Sequence, residues 1–521
     1  MYIELQQQTL MSNQEIRNDC NSLETLVVPT LKTGMMNMIL GGSYPLERHI
    51  NPSIQLTLNL ASKGFIVTFI NTHSTHHQIT KANNYKQYDN VFAGSGLDIR
   101  YRTISDGFPL SFDRSLHREQ FMVGRVHVFP AHVDEIVGEL VDSDPRPTCL
   151  VADTFSTWGY DVARKYGLLF VSFWTQPALV LTLYLHLDLL KKSGHYDSKG
   201  ESTPPRSDTF SKKNSNKDTI DYIPGVTPLK QRDLMSFLQE TDTSKIMHWI
   251  IHKAFTDAKK ADFIICNTVE ELEPGPISVL KEKQPIYAIG PLFPSHFTNP
   301  AVEMNLWSES DCSRWLNNKP QGSVLYASFG SYAHSNKQDI ETIANGLLLS
   351  GLSFIWVLRP GIVNSDVTEV LPNGFRENVG NRGLVVPWCK QNAVLSHSAV
   401  GGFLPCCGWN SILESIWVGV PLLCFPLVGD RITNRKMVVE DWEIGINLCA
   451  DGKLGSSNEV AERIKLMMSG ETCYELRKNI EQVRKKLENA LSGNGSSQMN
   501  FDKFVTYVKA KIHRHNSEKK L

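Results

Sequence analysis

The chain has 521 residues, 41% of them apolar and 21% charged, with a formal net charge of −1. This length exceeds one ordinary hydrophobic core and implies two domains of roughly 200–250 residues each. The charge balance excludes an electrostatic pull toward nucleic acid or anionic membrane. Ten cysteines without a CxxC pair exclude a zinc ribbon or dithiol motif and point to reduced, buried thiols.

The first stretch, "MYIELQQQTLMSNQEIRNDCNSLE", has neither a basic n-region nor an apolar h-region. It is therefore not a secretory signal, and a cytoplasmic protein is expected. Residues 1–33 are read as a disordered extension without an assigned role. From there, short apolar runs alternate with helical patterns. The first half carries "MMNMILGG", "FIVTFINT", "DIRYRTI", "TCLVADT", "LLFVSFW" and "DFIICNT". Near-continuous runs of this kind suit parallel strands buried on both faces. Between the first two, "NPSIQLTLNLASKG" puts Pro52 in a first helical turn, Ile54, Leu58 and Ala61 on one stripe, and Gly64 at the stop.

Within "NTHSTHHQ", His73, His76 and His77 raise metal binding, but no nearby carboxylate or cysteine completes a ligand set, so no metal is expected. The run "PALVLTLYLHLDLL" is shorter than the ~20 residues a membrane span needs, and it contains His186 and Asp188. Residues 193–219 are polar and rich in Ser, Lys and Pro, and read as a surface loop inside the first domain. Dense Pro and Gly punctuation from Pro274 through "IYAIGPLFPSHFTNP" marks the interdomain linker, with the domain boundary placed after residue 285.

The second half repeats the alternation with "SVLYASFGS", "SFIWVLRP", "GLVVPWC", "VGGFL" and "PLLCFPL". Two doubly wound α/β domains follow, with ligands expected beyond the carboxyl ends of the strands. After "VGGFL" comes "PCCGWNSILESIWVG". Gly408 allows close backbone approach, Asn410 or Ser411 caps a helix, and Gly419 ends it. On these residues alone, the stretch fits a phosphate-receiving helix or a purely structural one. "SFGSYAH" contains no GxGxxG, so a dinucleotide site is weakly supported.

Residues 388–431, "WCKQNAVLSHSAVGGFLPCCGWNSILESIWVGVPLLCFPLVGDR", closely resemble the plant secondary-product signature of family 1 glycosyltransferases. The resemblance extends through "YPLERHINP", "FINTHSTHH", "VADTFSTW", "ICNTVEELEP" and "IGPL". It implies a GT-B type fold: two Rossmann-like doubly wound domains facing across a cleft. Residues 34–285 would bind the acceptor, residues 286–498 the UDP-sugar, and residues 499–515 would form a helix packing back on the first domain.

The same resemblance implies that Trp388 stacks on uracil and that Gln391 and Glu414 hold the ribose. Asn410, Ser411 and the helix start at Gly408 and Trp409 would hold the diphosphate, with Ser331 nearby, and Asp430 would bond sugar hydroxyls. His49 would act as the base that deprotonates the acceptor hydroxyl, with Asp153 orienting it.

Three positions depart from the family pattern. Arg48 stands where glycine precedes the base. Cys406 stands where a histidine reaches the α-phosphate, a change expected to cost about 1–3 kcal/mol of donor contact. Arg431 stands where glucose-using members carry glutamine; its guanidinium favours a sugar with a carboxylate, or turns outward.

The expected activity is inverting, metal-independent transfer of a hexose, glucose by default, from a UDP-sugar to a hydroxyl of a small lipophilic acceptor such as a plant secondary metabolite. The UDP-sugar is a co-substrate, no other cofactor is implied, and a monomer is expected. The alternative is a non-catalytic or weakly active relative that binds a nucleotide sugar or small molecule.

Overall fold

In the computed structural model, the described residues are 36–41, 47–83, 90–196, 218–240, 242–294, 296–298, 302, 305–331, 334–359, 361–363, 371–450 and 452–518. The expected extension at 1–33 and most of the 193–219 loop lie outside them. Seven strands of the first half form one parallel sheet: β1 (Met36–Gly41), β2 (Phe65–Thr72), β3 (Ile99–Ile104), β4 (Pro147–Asp153), β5 (Leu169–Trp174), β6 (Phe263–Cys266) and β7 (Ile286–Ala288), in the order β3-β2-β1-β4-β5-β6-β7. A second parallel sheet follows: β8 (Val324–Ser328), β9 (Ser353–Val357), β10 (Gly383–Val386), β11 (Val400–Pro405), β12 (Leu422–Cys424) and β13 (Gly445–Asn447), in the order β10-β9-β8-β11-β12-β13. Each order reverses direction once, between β1 and β4 and between β8 and β11. At such a switch point the crossover helices lie on opposite faces and leave a crevice at the carboxyl edge.

The strands are buried as their sequences require. β2 and β5 have no exposed residue, and β11 is covered along its length. The run from Pro177 is a core helix, Ala178–Leu185, followed after a break at His186 by Leu187–Lys192, of which only Leu190 is buried. Every residue of the first is buried, and its leading N–H groups at Ala178 and Leu179 donate to the Glu273 carboxylate at 2.9 and 2.7 Å. The burial that a membrane would have supplied comes from protein. No helix among the described residues is long and apolar enough to cross a membrane.

Two boundaries differ from the sequence reading. Pro274–Lys283 is a helix and the strand Ile286–Ala288 belongs to the first sheet, so the linker begins after Ala288, not at Pro274, and the domain boundary is not at 286. Three residues next to a proline carry too little pattern to be separated from a loop. The terminal helix runs over Ser496–Glu518, and its Phe501, Phe504, Val505 and Val508 enter the core beneath β1, β2 and β6. The two halves belong to one compact unit, and a single apolar cluster joins Trp174 and Leu179 of the first to Tyr326, Phe403 and Trp409 of the second.

Candidate active site

The chain leaves β1 and enters the helix Glu47–Ser62, so His49 lies in a first helical turn. The helix begins earlier than the sequence suggested, and Pro52 is inside it. Proline removes one i→i−4 bond there, while Ser53 Oγ donates to the His49 carbonyl at 2.8 Å and braces the turn. Asp153 is the last residue of β4, the neighbouring strand across the switch point. His49 Nδ1 lies 2.6 Å from Asp153 Oδ2 and 3.0 Å from Thr175 Oγ1. The other carboxylate oxygen of Asp153 accepts the Phe155 N–H at 2.9 Å. Both side chains are buried, His49 at 1% exposure. With Nδ1 committed to a carboxylate, Nε2 is the nitrogen that can receive a proton.

In the second half, β11 ends at Pro405 and the helix Trp409–Val418 begins behind Gly408. Cys407 turns the chain at φ 61, a left-handed conformation unusual for a side chain with a Cβ. Asn434 Nδ2 holds this turn by donating to the Cys407 carbonyl at 3.0 Å and to Asp430 Oδ2 at 2.9 Å. The N-cap is Gly408, not Asn410 or Ser411, and no side chain caps the helix. Its first-turn N–H groups are thus not taken by a capping side chain. A Cβ built on Gly408 would meet nothing within 4 Å, so open space adjoins this backbone.

That space is a cavity between the halves. Ser331, Trp388, Gln391, Cys406, Gly408, Asn410, Ser411, Glu414 and Arg431 all line it. Gln391 organises one wall: Nε2 donates to Glu414 Oε2 at 2.6 Å and to Ser411 Oγ at 3.0 Å, and Oε1 accepts from the Tyr326 hydroxyl at 3.3 Å. Burial pushes the Glu414 carboxyl up to about 7, against the Gln391 amide, which pulls it down. Trp409 does not face the cavity; its Nε1–H donates to the Asn267 carbonyl of the first half at 2.8 Å, and its ring is core.

Asp430 and Arg431 begin the helix Arg431–Lys436, which is fastened to the first half. Thr433 Oγ1 donates to the Asp233 carbonyl at 2.7 Å, Arg435 pairs with the Asp233 carboxylate, and Gly429 N–H donates to Ser236 Oγ at 2.7 Å. Asp430 lines a second cavity together with His49, whereas Arg431 lines the first. Arg431 is 3% exposed, so it does not turn outward. The Arg48 side chain lies outside the described positions.

The second cavity has walls of Met122, Phe155, Tyr184, Phe237 and Met247 around His49. None was singled out in the sequence, because each comes from a different element and only Phe155, in "VADTFSTW", belongs to a motif. The first cavity likewise recruits Asn51 and Gln55 from the turn after His49, and Pro294 and Phe297 from the linker. An aromatic inside a proline-rich linker was the available signal for the latter. Of the three loop histidines, His76 Nδ1 contacts the Tyr101 hydroxyl at 3.1 Å, and no group of metal-ligating side chains occurs among the described residues. The nine described cysteines are buried, and none of them forms a disulfide.

Two doubly wound parallel sheets, joined so that both switch points open on shared cavities, define a GT-B fold. A structure of Phytolacca americana UGT2 complexed with UDP-2-fluoro-glucose and pterostilbene superposes with a TM-score of 0.72 at 26% identity, covering 91% of this chain and 99% of that one. The family model for UDP-glucuronosyl and UDP-glucosyl transferases matches residues 308–483. UDP-glycosyltransferase 86A1 of Arabidopsis thaliana is 52% identical over 477 residues, 90% of this chain and 94% of the relative. (R)-mandelonitrile beta-glucosyltransferase of Prunus dulcis is 33% identical, over 89% of this chain and 95% of its own length. The chain belongs to the plant family 1 UDP-glycosyltransferases, and it is an enzyme that transfers sugar from a UDP-sugar to an acceptor.

Proposed function

We propose that the enzyme transfers glucose from UDP-glucose to a hydroxyl of a small lipophilic acceptor, with inversion at the anomeric carbon and without a metal. The observation that carries this reading is the buried 2.6 Å contact between His49 and Asp153 on the wall of a mainly apolar cavity. An acceptor in that cavity gives its proton to His49 Nε2 as its oxygen bonds to C1 of the sugar. The bond from C1 to the β-phosphate oxygen breaks, and UDP leaves with the electron pair. Asp153 stabilises the imidazolium that forms.

Trp388 offers a face to the base, and Gln391 and Glu414 offer acceptors to the ribose. Ser331, Asn410, Ser411 and the uncapped helix start receive the diphosphate, whose charge grows on departure. Asp430, in the cavity of His49, accepts from sugar hydroxyls. The apolar lining favours a flat or terpenoid alcohol over a polar acceptor. Glucose as donor sugar is supported by the ligand of the Phytolacca americana structure and by the name of the Prunus dulcis relative.

The test is UDP release from UDP-glucose with a panel of flavonoids and terpenoid alcohols, in buffer with and without EDTA. Turnover with a β-linked product, unchanged by EDTA and abolished in His49→Ala, is expected. Donor binding without turnover across the panel would favour a non-catalytic relative. A His49→Ala variant at wild-type rate would remove the base from the mechanism.

A further inference from the structure

Arg431 is the unusual charge in the donor cavity. It is 3% exposed and lines the wall shared with Gly330, Ser331, Cys406 and Gly408. Among the described residues, its Nε and Nη1 atoms are buried and meet no acceptor. Buried guanidinium donors are ordinarily all paired, and leaving two unmet is a cost that a folded protein keeps only for a reason. The residue beside it does not supply an anion, since Cys406 carries a thiol, a weak donor and a weak acceptor.

The surroundings reinforce the positive character of this wall. Arg359, 2% exposed, donates from Nε to the Gly330 carbonyl at 3.0 Å. Burial first, then the charges of Arg431 and Arg118, lower its guanidinium to about 10, with Cys406 and Asp113 acting the other way. His334 is lowered to about 4 by burial and then by Arg359 and Arg118. The facing carboxylates are accounted for: Asp113 faces Arg359 and His334 from across the cleft, and Asp430 accepts from Asn434. Arg359 is therefore within electrostatic reach of both Cys406 and Arg431, and Arg431 opens on the cavity with two of its donors unpaired.

We infer that Arg431 is an oxyanion-binding residue of the donor site, pairing with a phosphate or sugar-carboxylate oxygen of the nucleotide sugar beside the uncharged Cys406. This rests on the reading of the cavity as the UDP-sugar site. Cys406 and Arg431 then act as a compensating pair: the cation absent at one position is supplied from the other. Arginine suits the task, because its planar fork pairs two oxygens at once and its charge survives burial.

The experiment is calorimetric titration of uridine, UDP, UDP-glucose and UDP-glucuronic acid into wild type, Arg431→Gln, Arg431→Lys and the double variant Cys406→His/Arg431→Gln. Removing a charge-assisted pair should weaken UDP and UDP-glucose about 10–100-fold in Arg431→Gln. Uridine affinity should hold, which also shows that the variant is folded. Arg431→Lys should retain part of the affinity, and Cys406→His should restore most of it in the Gln background. If the partner oxygen is a sugar carboxylate, the loss is confined to UDP-glucuronic acid, which still assigns Arg431 an oxyanion. Equal affinities of wild type and Arg431→Gln for all four ligands overturn the inference alone. Wild type that binds no UDP overturns it together with the donor-site reading.

Discussion

Asp153→Asn isolates the carboxylate's role in catalysis with the least change of shape. The amide oxygen can still accept the Phe155 N–H, a bond of 2.9 Å in the wild type, so the strand end keeps its anchor. What changes is the 2.6 Å contact with His49 Nδ1. An amide turned this way presents N–H donors to Nδ1, so the imidazole answers with its lone pair there and carries its proton on Nε2. The nitrogen facing the acceptor is then already protonated and cannot serve as base. Loss of positioned general-base catalysis is worth roughly 10²–10⁴ in rate, about 3–5 kcal/mol of barrier. The assay is kcat for UDP release at saturating acceptor, with UDP affinity measured in parallel. Because Asp153 lies in the first half, away from the nucleotide wall, affinity should stay within about threefold. A kcat within about threefold of wild type would refute the base–carboxylate reading.

The raised Glu414 carboxyl makes donor binding depend on pH. Ribose hydroxyls donate to its ionised form, and its value near 7 is above that of an ordinary carboxylate, so UDP affinity should rise with pH through about 7 and level off above it. Below that point the slope should approach tenfold per unit, and Glu414→Gln should flatten it; a flat wild-type titration between about pH 5.5 and 7.5 would count against the assignment. At the far end of the chain, Phe504 is fully buried, its ring 5.8 Å from that of Phe263 and 5.8 Å from that of Tyr287. Phe504→Ala should cost about 3–5 kcal/mol in urea unfolding, and a loss below about 1 kcal/mol would mean that the terminal helix is not part of the core.

The strands were legible because parallel strands covered on both faces read as unbroken apolar runs, and β2, β5 and β11 are covered throughout. The short β7 was not, because three residues cannot display a period. The residues of the donor wall were legible for a different reason. Apart from Ser331, they come from one continuous stretch, where their spacing could be matched to a family signature. Within it, the indole of Trp409 serves the core, donating to the Asn267 carbonyl, which leaves only its backbone for the role expected of the helix start. The helix cap was misjudged, since a glycine N-cap leaves no polar side chain to notice. The acceptor walls were illegible, as Met122, Tyr184 and Phe237 meet only when three separate elements pack. Their residue types are those of any core.

The inward turn of Arg431 could not be read from sequence either, yet it follows from the fastening of its helix. Thr433 and Arg435 are both bound to Asp233, and Gly429 to Ser236, all across the interface between halves. With those contacts made, the chain at positions 430 and 431 has one cavity on each side, and consecutive side chains enter opposite ones. In the proposed reaction, a sugar attached to a nucleotide in the first cavity and attacked beside His49 in the second passes this peptide. The same tethers therefore set the distance between donor and base. A change at Asp233 that loosens them should impair transfer even though Asp233 lines neither cavity.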